Sequence, residues 1–590
     1  MANDVRNDNF IFPSRHVPDC FINSQVMNKL DTISNTIGNI DNIIGLSYEK
    51  NGNSIKEYKG YSDAIYGHKK GTEPIKVNIS KPNGGNRFIS VANPLALIPL
   101  DFYLMKNASD ILSEQLEPND KYYSSSSYDY DEEGIIVGYT YDGDVLTEET
   151  EELVQRGFDN KELITHNICS GRYYHMSIDV SNFFNSIYSH SISWDLVNSQ
   201  NKDIFENLDV LSRTLNRNET KGIIIGPYTS GIISEIILSK IDRQIVEKYK
   251  DDDVSFVHFC DDYDFFSDSK EKLESEVKNF IGKCFLKYGL DLNLSKFKIE
   301  EFPFISLKNI QTERIYILKD RIKGEDFDTP LDYVENVMND LSSSLKIKYS
   351  NCNYMISILN SLYEKDEIPV KYLDKETSKI LLDYLINMMF KNNLVSKASS
   401  NLIINIFEKM NFTQEEKNAV LNKWINKRNS CEPQLKEITD LWLQYIILKL
   451  KCSTDEITEY MSKLLGNGIL QDVMCLDYFN LNNLSIAKAD EVKKYLDRIK
   501  DELINRFGNN WQQAAYDTKY WLIFYTNSLR WKFETSAEYS GTLFDKLNIH
   551  TLASNPSMPG RLKMLDILYV NNVEFYENEN SLDISKLSRV

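Results

Sequence analysis

Three aspartates at the ends of β-type segments are the residues of this sequence best suited to carry chemistry. Residues 173–180 alternate in polarity with a period of two, which predicts a strand with Asp179 on the face opposite its apolar side chains. Residues 251–269 contain two β-type runs flanking Asp261 and Asp262, which predicts a hairpin with both carboxylates at its tip. A cluster of three carboxylates is costly without cations. Two Mg²⁺ ions would neutralise it and hold the attacking and leaving oxygens of a phosphoryl transfer.

A glycine-bounded loop and a helix are predicted between the strand and the hairpin. Gly222 and Gly226 delimit the loop. From Thr229 onward, isoleucines recur every four residues, which is typical of a buried helix face. These isoleucines are Ile233, Ile237, Ile241 and Ile245. The chain order is therefore a strand with one aspartate, a loop with a helix, and a hairpin with two aspartates.

This order of elements resembles motifs A, B and C of reverse-transcriptase palms. Motif C in that family is usually aromatic-x-Asp-Asp, and residues 259–262 read Phe-Cys-Asp-Asp. Upstream, residues 81–94 (KPNGGNRFISVANP) resemble the fingers hairpin with its Asn-Gly-Gly turn. Downstream, residues 289–304 (GLDLNLSKFKIEEFPF) resemble motif D. The resemblance covers residues 76–305.

The resemblance implies a role for each residue that matches a family motif. In the family, the fingers Lys and Arg hold the incoming triphosphate, which suits their charge. The motif D Lys lies near the leaving pyrophosphate, and an aromatic residue five positions after the motif A aspartate rejects a 2′-OH. The implied substrate-binding residues are Lys81, Arg87, Phe184, Gly226 and Lys296. The implied catalytic residues are Asp179, Asp261 and Asp262, and the implied metal-binding residues are these three and Val180.

One position departs from the family pattern. Template-copying members usually carry Gln before the second Gly of motif B, where it supports the template-nucleotide pair. This sequence has Ile225 there, and an apolar side chain cannot supply the hydrogen bonds of an amide. The departure predicts a polymerase with little or no conventional templating.

Longer strings narrow the resemblance to bacterial defence-associated reverse transcriptases of the abortive-infection AbiK type. The strings are SNFFNSIYSHSISW, IGPYTSGIISEIILSKID and LSKFKIEEFPF. The resemblance implies an antiphage DNA polymerase that adds deoxynucleotides and is primed by a tyrosine, so that nascent single-stranded DNA becomes attached to protein. The tyrosines nearest the fingers and the acidic segment are Tyr48, Tyr58, Tyr61, Tyr66, Tyr122, Tyr123, Tyr128 and Tyr130, and the sequence does not choose among them.

The expected fold class is α+β, with reverse-transcriptase-like fingers and palm followed by a large all-α C-terminal domain. We assign residues 1–75 to an N-terminal extension, 76–310 to fingers and palm, and 311–590 to the helical domain. Residues 122–155 read as an acidic surface insertion. The last 260 residues carry helix-period apolar runs and only five glycines, at 466, 468, 508, 541 and 560. They show no repeat of fixed length, so the sequence does not establish whether the helices form a helical-repeat arrangement. A scaffold, a binding channel and an oligomer interface are the roles expected for them, and the chain is expected to form a homo-oligomer.

The charge distribution and the cysteine spacing further limit the possible functions and cellular location of the protein. The net charge of −20 indicates that the protein does not hold long duplexes by counterion release alone. Charge is uneven, since residues 122–155 contain ten Asp or Glu and no Lys or Arg, whereas residues 66–87 contain five Lys or Arg and one Glu. Eight scattered cysteines without CxxC spacing, no apolar run of membrane-spanning length and no secretory leader predict a cytoplasmic protein.

Three alternatives remain at the level of sequence. The polymerase could use a dedicated noncoding RNA as template or scaffold. The chain could be a catalytically silent interaction protein, against which the intact aspartates and the fingers Lys and Arg argue. An RNA-dependent RNA polymerase is disfavoured by Phe184 and by Cys rather than Gly at position 260.

Overall fold

The computed structural model describes residues 10–14, 16–27, 50–51, 54–55, 71–81, 85–116, 121–124, 129–130, 136–137, 165–304, 317–347, 349–428, 435–482, 490–531, 546–554 and 562–577. Several predicted features lie outside these residues. They are the Asn-Gly part of the fingers turn, most of the acidic segment, the domain boundary at 310–311, and five of the candidate priming tyrosines, Tyr48, Tyr58, Tyr61, Tyr66 and Tyr128.

The first described hairpin is a two-stranded ribbon. Strand β1 (Ile75–Ser80) pairs antiparallel with β2 (Asn86–Val91), with Val77 opposite Ile89 and Ile79 opposite Arg87. The inner ends of both strands are buried, whereas the turn-side half of β2 is exposed. Helix α1 (Pro94–Lys106) follows directly, and Asn93 caps it by accepting a hydrogen bond from the Leu95 amide.

A six-stranded sheet forms the centre of the described structure. Its strands are β3 (Tyr122–Ser124), β4 (Tyr174–Ser181), β5 (Ser255–Phe259), β6 (Asp262–Ser267), β7 (Asp291–Leu292) and β8 (Lys298–Glu301). The order is β7-β4-β6-β5-β3, and β8 pairs with the other half of β4. Only the β3–β5 pair is parallel. Four two-residue strands, Lys50–Asn51, Ser54–Ile55, Asp129–Tyr130 and Ile136–Val137, form two separate small ribbons.

The acidic segment predicted as a surface insertion starts inside this sheet. Tyr122 is the first residue of β3, is 2% exposed and lies opposite Phe256 of β5. Parallel pairing with a strand more than a hundred residues later is a tertiary contact, which local composition does not reveal.

Three longer helices pack on the sheet or beside it. They are α2 (Lys202–Thr214), α3 (Tyr228–Tyr249) and α4 (Lys278–Lys287), the last preceded by a π-helical turn at Lys272–Val277. The predicted isoleucine face of α3 is confirmed, because Ile233, Ile237, Ile241 and Ile245 are all buried to 1% exposure or less. This buried face fixes α3 against the sheet, and its first turn follows the loop that ends at Gly226.

The rest of the described chain is helical. Its longer helices are α5 (Pro330–Ile347), α6 (Tyr349–Glu364), α7 (Lys375–Lys391), α8 (Ser396–Lys409), α9 (Gln414–Arg428), α10 (Lys436–Lys449), α11 (Asp455–Leu464), α12 (Ile469–Leu481), α13 (Asp490–Phe507) and α14 (Leu562–Val570). Shorter ones are Ser24–Met27, Ala108–Leu112, Phe183–Ser186, Trp511–Ala514, Trp521–Thr526 and Ile549–Ser554. Among the described residues, none of the helices has both the length and the apolar character needed to cross a bilayer.

The helical half and the sheet share one hydrophobic core. A single cluster of buried apolar side chains runs from Phe10 to Tyr576. Polar contacts add to it: Asn93 donates to the Tyr516 carbonyl at 2.8 Å, and buried Glu73 pairs with Arg506 of α13. Glu73 precedes β1 and Asn93 follows β2, so the C-terminal half holds the base of the β1–β2 hairpin.

Candidate active site

The three predicted carboxylates meet at one end of the central sheet. Asp262, the first residue of β6, lies directly opposite Asp179 of β4 and opposite Phe259 of β5. Cys260 and Asp261 form the two-residue loop between β5 and β6. The predicted strand and hairpin therefore exist and bring Asp179, Asp261 and Asp262 together.

Asp179 is the most buried of the three carboxylates and is held by two side chains. It is 6% exposed. Lys296 Nζ donates to its Oδ1 at 2.8 Å, and Asn293 Nδ2 donates to its Oδ2 at 2.7 Å. The Asn293 amide also donates to the Asp179 carbonyl at 2.8 Å. The loop after β7 thus fixes both the backbone and the carboxylate of Asp179.

The other two carboxylates have pKa values raised above the ordinary aspartate value. Burial, the charges of Asp261 and Asp179, and a hydrogen bond with Asp179 raise the pKa of Asp262 to about 7, although part of its side chain reaches solvent. Burial and the charge of Asp179 likewise raise the pKa of Asp261. A carboxylate whose pKa rises because its neighbours are anionic gains from a nearby cation.

The donor set fits a hard divalent cation. Carboxylate oxygens are the ligands that Mg²⁺ prefers, and three of them converge here. Within the described residues, no three acidic, His or Cys side chains already stand in ligand positions around one point. Both Asp179 oxygens are engaged by Asn293 and Lys296, so a cation at Oδ1 takes the place of the Lys296 ammonium. Val180, the fourth residue implied in metal binding, is buried and donates its amide to the Asp261 carbonyl at 3.1 Å.

A buried ion pair supports the turn that carries Asp261. His258 of β5 is fully buried, and its Nδ1 lies 2.9 Å from Asp242 Oδ2 of α3. Its Nε2 lies 2.6 Å from the Cys260 carbonyl oxygen. Burial alone would lower the pKa of His258, but the charges of Asp242 and Glu235 together with these hydrogen bonds raise it to about 9. His258 is therefore an imidazolium at neutral pH.

The motif B loop is attached to the β1–β2 hairpin. The Ser90 amide donates to the Ile225 carbonyl at 2.6 Å. Gly226 has φ of +143°, and a Cβ there would lie 2.4 Å from the Ser90 carbonyl oxygen, so glycine is required at this close approach. The Ile225 side chain is half-buried and packs against the hydrophobic core.

Phe184 lies where the end of motif A meets the motif B loop. Its carbonyl accepts a hydrogen bond from the Ile223 amide at 2.9 Å, and its half-buried ring contacts Phe183 at a centroid distance of 5.2 Å. Gly222 approaches the adjacent Asn185, whose carbonyl oxygen would lie 3.2 Å from a Cβ at that position. These two backbone contacts therefore tie the end of motif A to the motif B loop.

The two fingers cations lie on the exposed part of the hairpin. Lys81 follows β1, is exposed, and donates its amide to the Gly85 carbonyl at 2.9 Å. Arg87 is an exposed residue of β2. Both residues therefore lie on the exposed, turn-side part of the ribbon.

Sequence reasoning missed Asn293 and His258 as parts of the site. Asn293 lies three residues before Lys296 in the motif D segment. This short spacing from an assigned lysine is the sequence signal that could have identified it. His258 lies within an apolar run that predicts a strand, and the sequence of this run does not indicate its partner Asp242 on α3. Asp264 accepts hydrogen bonds from His175 and Ser177 at 2.8 Å each, on the same two strands as Asp262 and Asp179.

Comparisons with known proteins agree with this geometry. The family model described as reverse transcriptase (RNA-dependent DNA polymerase) matches residues 141–354. These residues include all three aspartates, the motif B loop, Phe184 and Lys296, but not the β1–β2 hairpin with Lys81 and Arg87. A search of curated proteins found no match.

Solved telomerase structures are among the structural matches. Telomerase from Candida albicans, in complex with a TWJ fragment of telomeric RNA, is 14% identical with a TM-score of 0.25, over 64% of this chain and 66% of that one. A C-terminally truncated apo telomerase from Candida tropicalis is 16% identical with a TM-score of 0.23, over 40% and 51%. Apo telomerase from Candida tropicalis is 12% identical with a TM-score of 0.26, over 72% and 74%. This chain spans less than two thirds of the length of the first two telomerase chains, and similarities this weak carry no further argument.

The family match, together with the helices that the structure shows from Pro330 onward, confirms the expected fold class of a reverse-transcriptase-like region followed by a large helical region. Reverse transcriptase domains generally use divalent metal ions, typically Mg²⁺, which agrees with the carboxylate donors described above. Residues 141–354 therefore match a reverse transcriptase domain, and a domain of this type indicates nucleotidyltransferase chemistry.

Proposed function

We propose that this protein is a DNA polymerase that adds deoxynucleotides with little or no conventional templating and that acts in antiphage defence. The observation that carries the templating part is the position of Ile225. Its carbonyl accepts a hydrogen bond from the Ser90 amide and its half-buried side chain packs against the core, so this position presents no side-chain amide where template-copying relatives use one. The defence role rests on the AbiK-type resemblance of the motif strings alone.

In the proposed reaction, each site residue has one task. Asp179, Asp261, Asp262 and the backbone of Val180 would hold two Mg²⁺ ions, which would polarise the attacking and leaving oxygens. Lys81 and Arg87 bind the triphosphate, which suits two exposed cations on one hairpin. Gly226 allows the loop to approach the hairpin, and the Phe184 ring rejects a ribose 2′-OH. Lys296 leaves Asp179 and neutralises the pyrophosphate.

We further propose that a tyrosine hydroxyl primes synthesis and that the nascent strand stays attached to protein. A priming hydroxyl must reach the catalytic aspartates, so a buried tyrosine is unsuitable. Tyr122 is 2% exposed in β3, which argues against it as primer. Of the other candidates, Tyr123 and Tyr130 are described only in their backbone, and the rest lie outside the described residues. Homo-oligomerisation and a cytoplasmic location belong to the same proposal.

The test is incubation of purified protein with each dNTP and Mg²⁺ without added nucleic acid. We expect labelled product that migrates with the protein and is released by protease. The Asp261→Asn variant, which keeps the side-chain volume but loses the charge, is the matched control and should make none. Faithful copying of a supplied heteropolymeric template, seen by sequencing the product, contradicts the proposal. Synthesis that depends on a co-purifying RNA supports a polymerase with a dedicated RNA partner instead.

One observation favours a second candidate, a catalytically silent scaffold. Lys296 occupies Asp179 Oδ1, the position a metal would need. A protein that binds no Mn²⁺ at millimolar concentration and incorporates no dNTP would support the scaffold.

A further inference from the structure

His258 connects the motif B helix to the catalytic turn. It is the penultimate residue of β5 and is fully buried between α3 and the β5–β6 loop. One ring nitrogen lies 2.9 Å from Asp242 Oδ2 and the other lies 2.6 Å from the Cys260 carbonyl oxygen. Asp242 itself is fully buried, so this connection is shielded from solvent.

The partners of the ring determine its protonation. A carbonyl oxygen and a carboxylate oxygen can only accept hydrogen bonds, whereas a neutral imidazole has a single N–H. Both contacts are satisfied only when each ring nitrogen of His258 carries a proton. The resulting positive charge is balanced by Asp242, whose other oxygen accepts the Tyr263 hydroxyl at 2.8 Å.

The turn has a specific need for this support. Cys260 has φ of +53°, a left-handed conformation that glycine adopts readily and that a residue with a Cβ avoids. The peptide after Cys260 is held by His258 through the Cys260 carbonyl. The peptide after Asp261 is held by Val180, whose amide donates to the Asp261 carbonyl at 3.1 Å. Asp261 is thus fixed by one hydrogen bond on each side.

We propose that His258 is a positioning residue that fixes the Cys260–Asp261 turn and so sets the geometry in which Asp261 and Asp262 bind metal. The proposal rests on the proposed metal-binding role of these two aspartates. His258 itself touches neither metal nor nucleotide, and acts through the Cys260 carbonyl.

Tyr263 provides a matched control. Its ring stacks on His258 with a centroid distance of 4.4 Å and an interplanar angle of 3°, and it is fully buried. Tyr263→Phe removes one hydrogen bond to Asp242 and leaves the contact with Cys260 intact. His258→Gln removes the bridging imidazolium at the same depth in the protein.

The experiment measures Mn²⁺ binding to the full chain by electron paramagnetic resonance, with dNTP incorporation measured in parallel. We expect His258→Gln to weaken Mn²⁺ binding about tenfold or more, as loss of a group that orients metal ligands typically does. It should lower kcat with little change in KM for dNTP, and Tyr263→Phe should bind Mn²⁺ within about twofold of wild type, since it leaves the orienting contact in place. Equal losses in both variants, or wild-type Mn²⁺ binding by His258→Gln, overturn the inference.

A second measurement on the wild-type protein applies if His258→Gln does not fold. With histidine ring nitrogens labelled, the nuclear magnetic resonance spectrum should show two His258 ring N–H signals, and added Mg²⁺ should shift the Nε2–H signal. A single ring N–H, or no shift with Mg²⁺, overturns the inference. Wild-type protein that binds Mn²⁺ but makes no DNA overturns the proposed polymerase function and leaves the role of His258 intact. Wild-type protein that binds no Mn²⁺ overturns both.

Discussion

Lys296 Nζ lies 2.8 Å from Asp179 Oδ1, so a lysine of the motif D segment forms an ion pair with the motif A aspartate. The carboxylate is 8% exposed and the lysine side chain is 52% exposed. Two charges of opposite sign therefore occupy the position where a metal ion and its ligand would meet. The ammonium serves as the counter-ion of Asp179, and metal binding requires it to move away.

Replacing Lys296 should separate metal binding from catalysis. In Lys296→Met we expect Mn²⁺ to bind about twofold to tenfold more tightly, because no ammonium competes for Asp179. We expect kcat to fall about tenfold or more, because the leaving pyrophosphate loses its cation. Lys298→Met is the control, since Lys298 is two residues away, is 64% exposed and pairs with Glu300 instead. Mn²⁺ titration and steady-state kinetics on both variants check this, and unchanged Mn²⁺ affinity in Lys296→Met would contradict it.

The pKa of Asp262 predicts how metal affinity depends on pH. Because burial and the neighbouring aspartates raise this pKa to about 7, the carboxyl is mostly protonated at pH 6 and mostly ionised at pH 8. A metal ion needs the ionised form, so apparent Mg²⁺ affinity should rise about tenfold from pH 6 to pH 8 and then level off. Calorimetric Mg²⁺ titrations at both pH values measure it, and Asp262→Asn should lose most of the dependence.

The same shift has a consequence for the metal-free protein. The pKa of Asp262 is higher in the folded state than its unfolded value of 3.8, so the folded state binds the proton more tightly. Its contribution to stability is therefore largest at low pH and is lost as pH rises between 3.8 and about 7. Mg²⁺ should restore that stability at pH 8, which thermal unfolding with and without Mg²⁺ would detect.

Gly226 should be intolerant of any side chain. A Cβ there would lie 2.4 Å from the Ser90 carbonyl oxygen, and the backbone cannot yield without detaching the β1–β2 hairpin from the loop. We expect Gly226→Ala to lower the free energy of unfolding by about 2 kcal/mol or more and to abolish synthesis. Gly171→Ala is the control, because Gly171 also has positive φ, at +77°, but a Cβ there meets nothing within 4 Å. The free energy of unfolding of both variants is measured by chemical denaturation. Equal losses in Gly226→Ala and Gly171→Ala would show that backbone strain, and not the contact with Ser90, causes the destabilisation.

The sequence predicted those parts of the site that depend on local pattern. Strand alternation placed Asp179 correctly, and Met176 and Ile178 on the other face are 0% and 3% exposed. The isoleucine spacing predicted the buried face of α3, and the β-type runs around Asp261 predicted the hairpin. Each signal comes from a period of two or of four within one element.

The parts that escaped prediction depend on contacts between elements. His258 is held by Asp242, sixteen residues earlier on a helix that packs behind the hairpin. Tyr122 belongs to the sheet because it pairs with a strand far along the chain. A residue pattern inside one segment does not encode which distant segment will face it, so these contacts follow only from the tertiary fold.

Phe184 provides the test of sugar selection. Its half-buried ring packs against Phe183 and the hydrophobic core, and its backbone carbonyl is bonded to the Ile223 amide of the motif B loop. An aromatic ring packed at this position excludes a 2′-OH sterically. We expect wild type to prefer dNTP strongly over rNTP, and Phe184→Ala to gain rNTP incorporation about tenfold to hundredfold, within the range of a few kcal/mol that a filled or emptied pocket provides. Phe183→Leu is the control, since Phe183 is its 4% exposed neighbour and belongs to the core. The measurement is kcat/KM for matched dNTP and rNTP in each variant, and equal use of both by wild type would refute Phe184 as the gate.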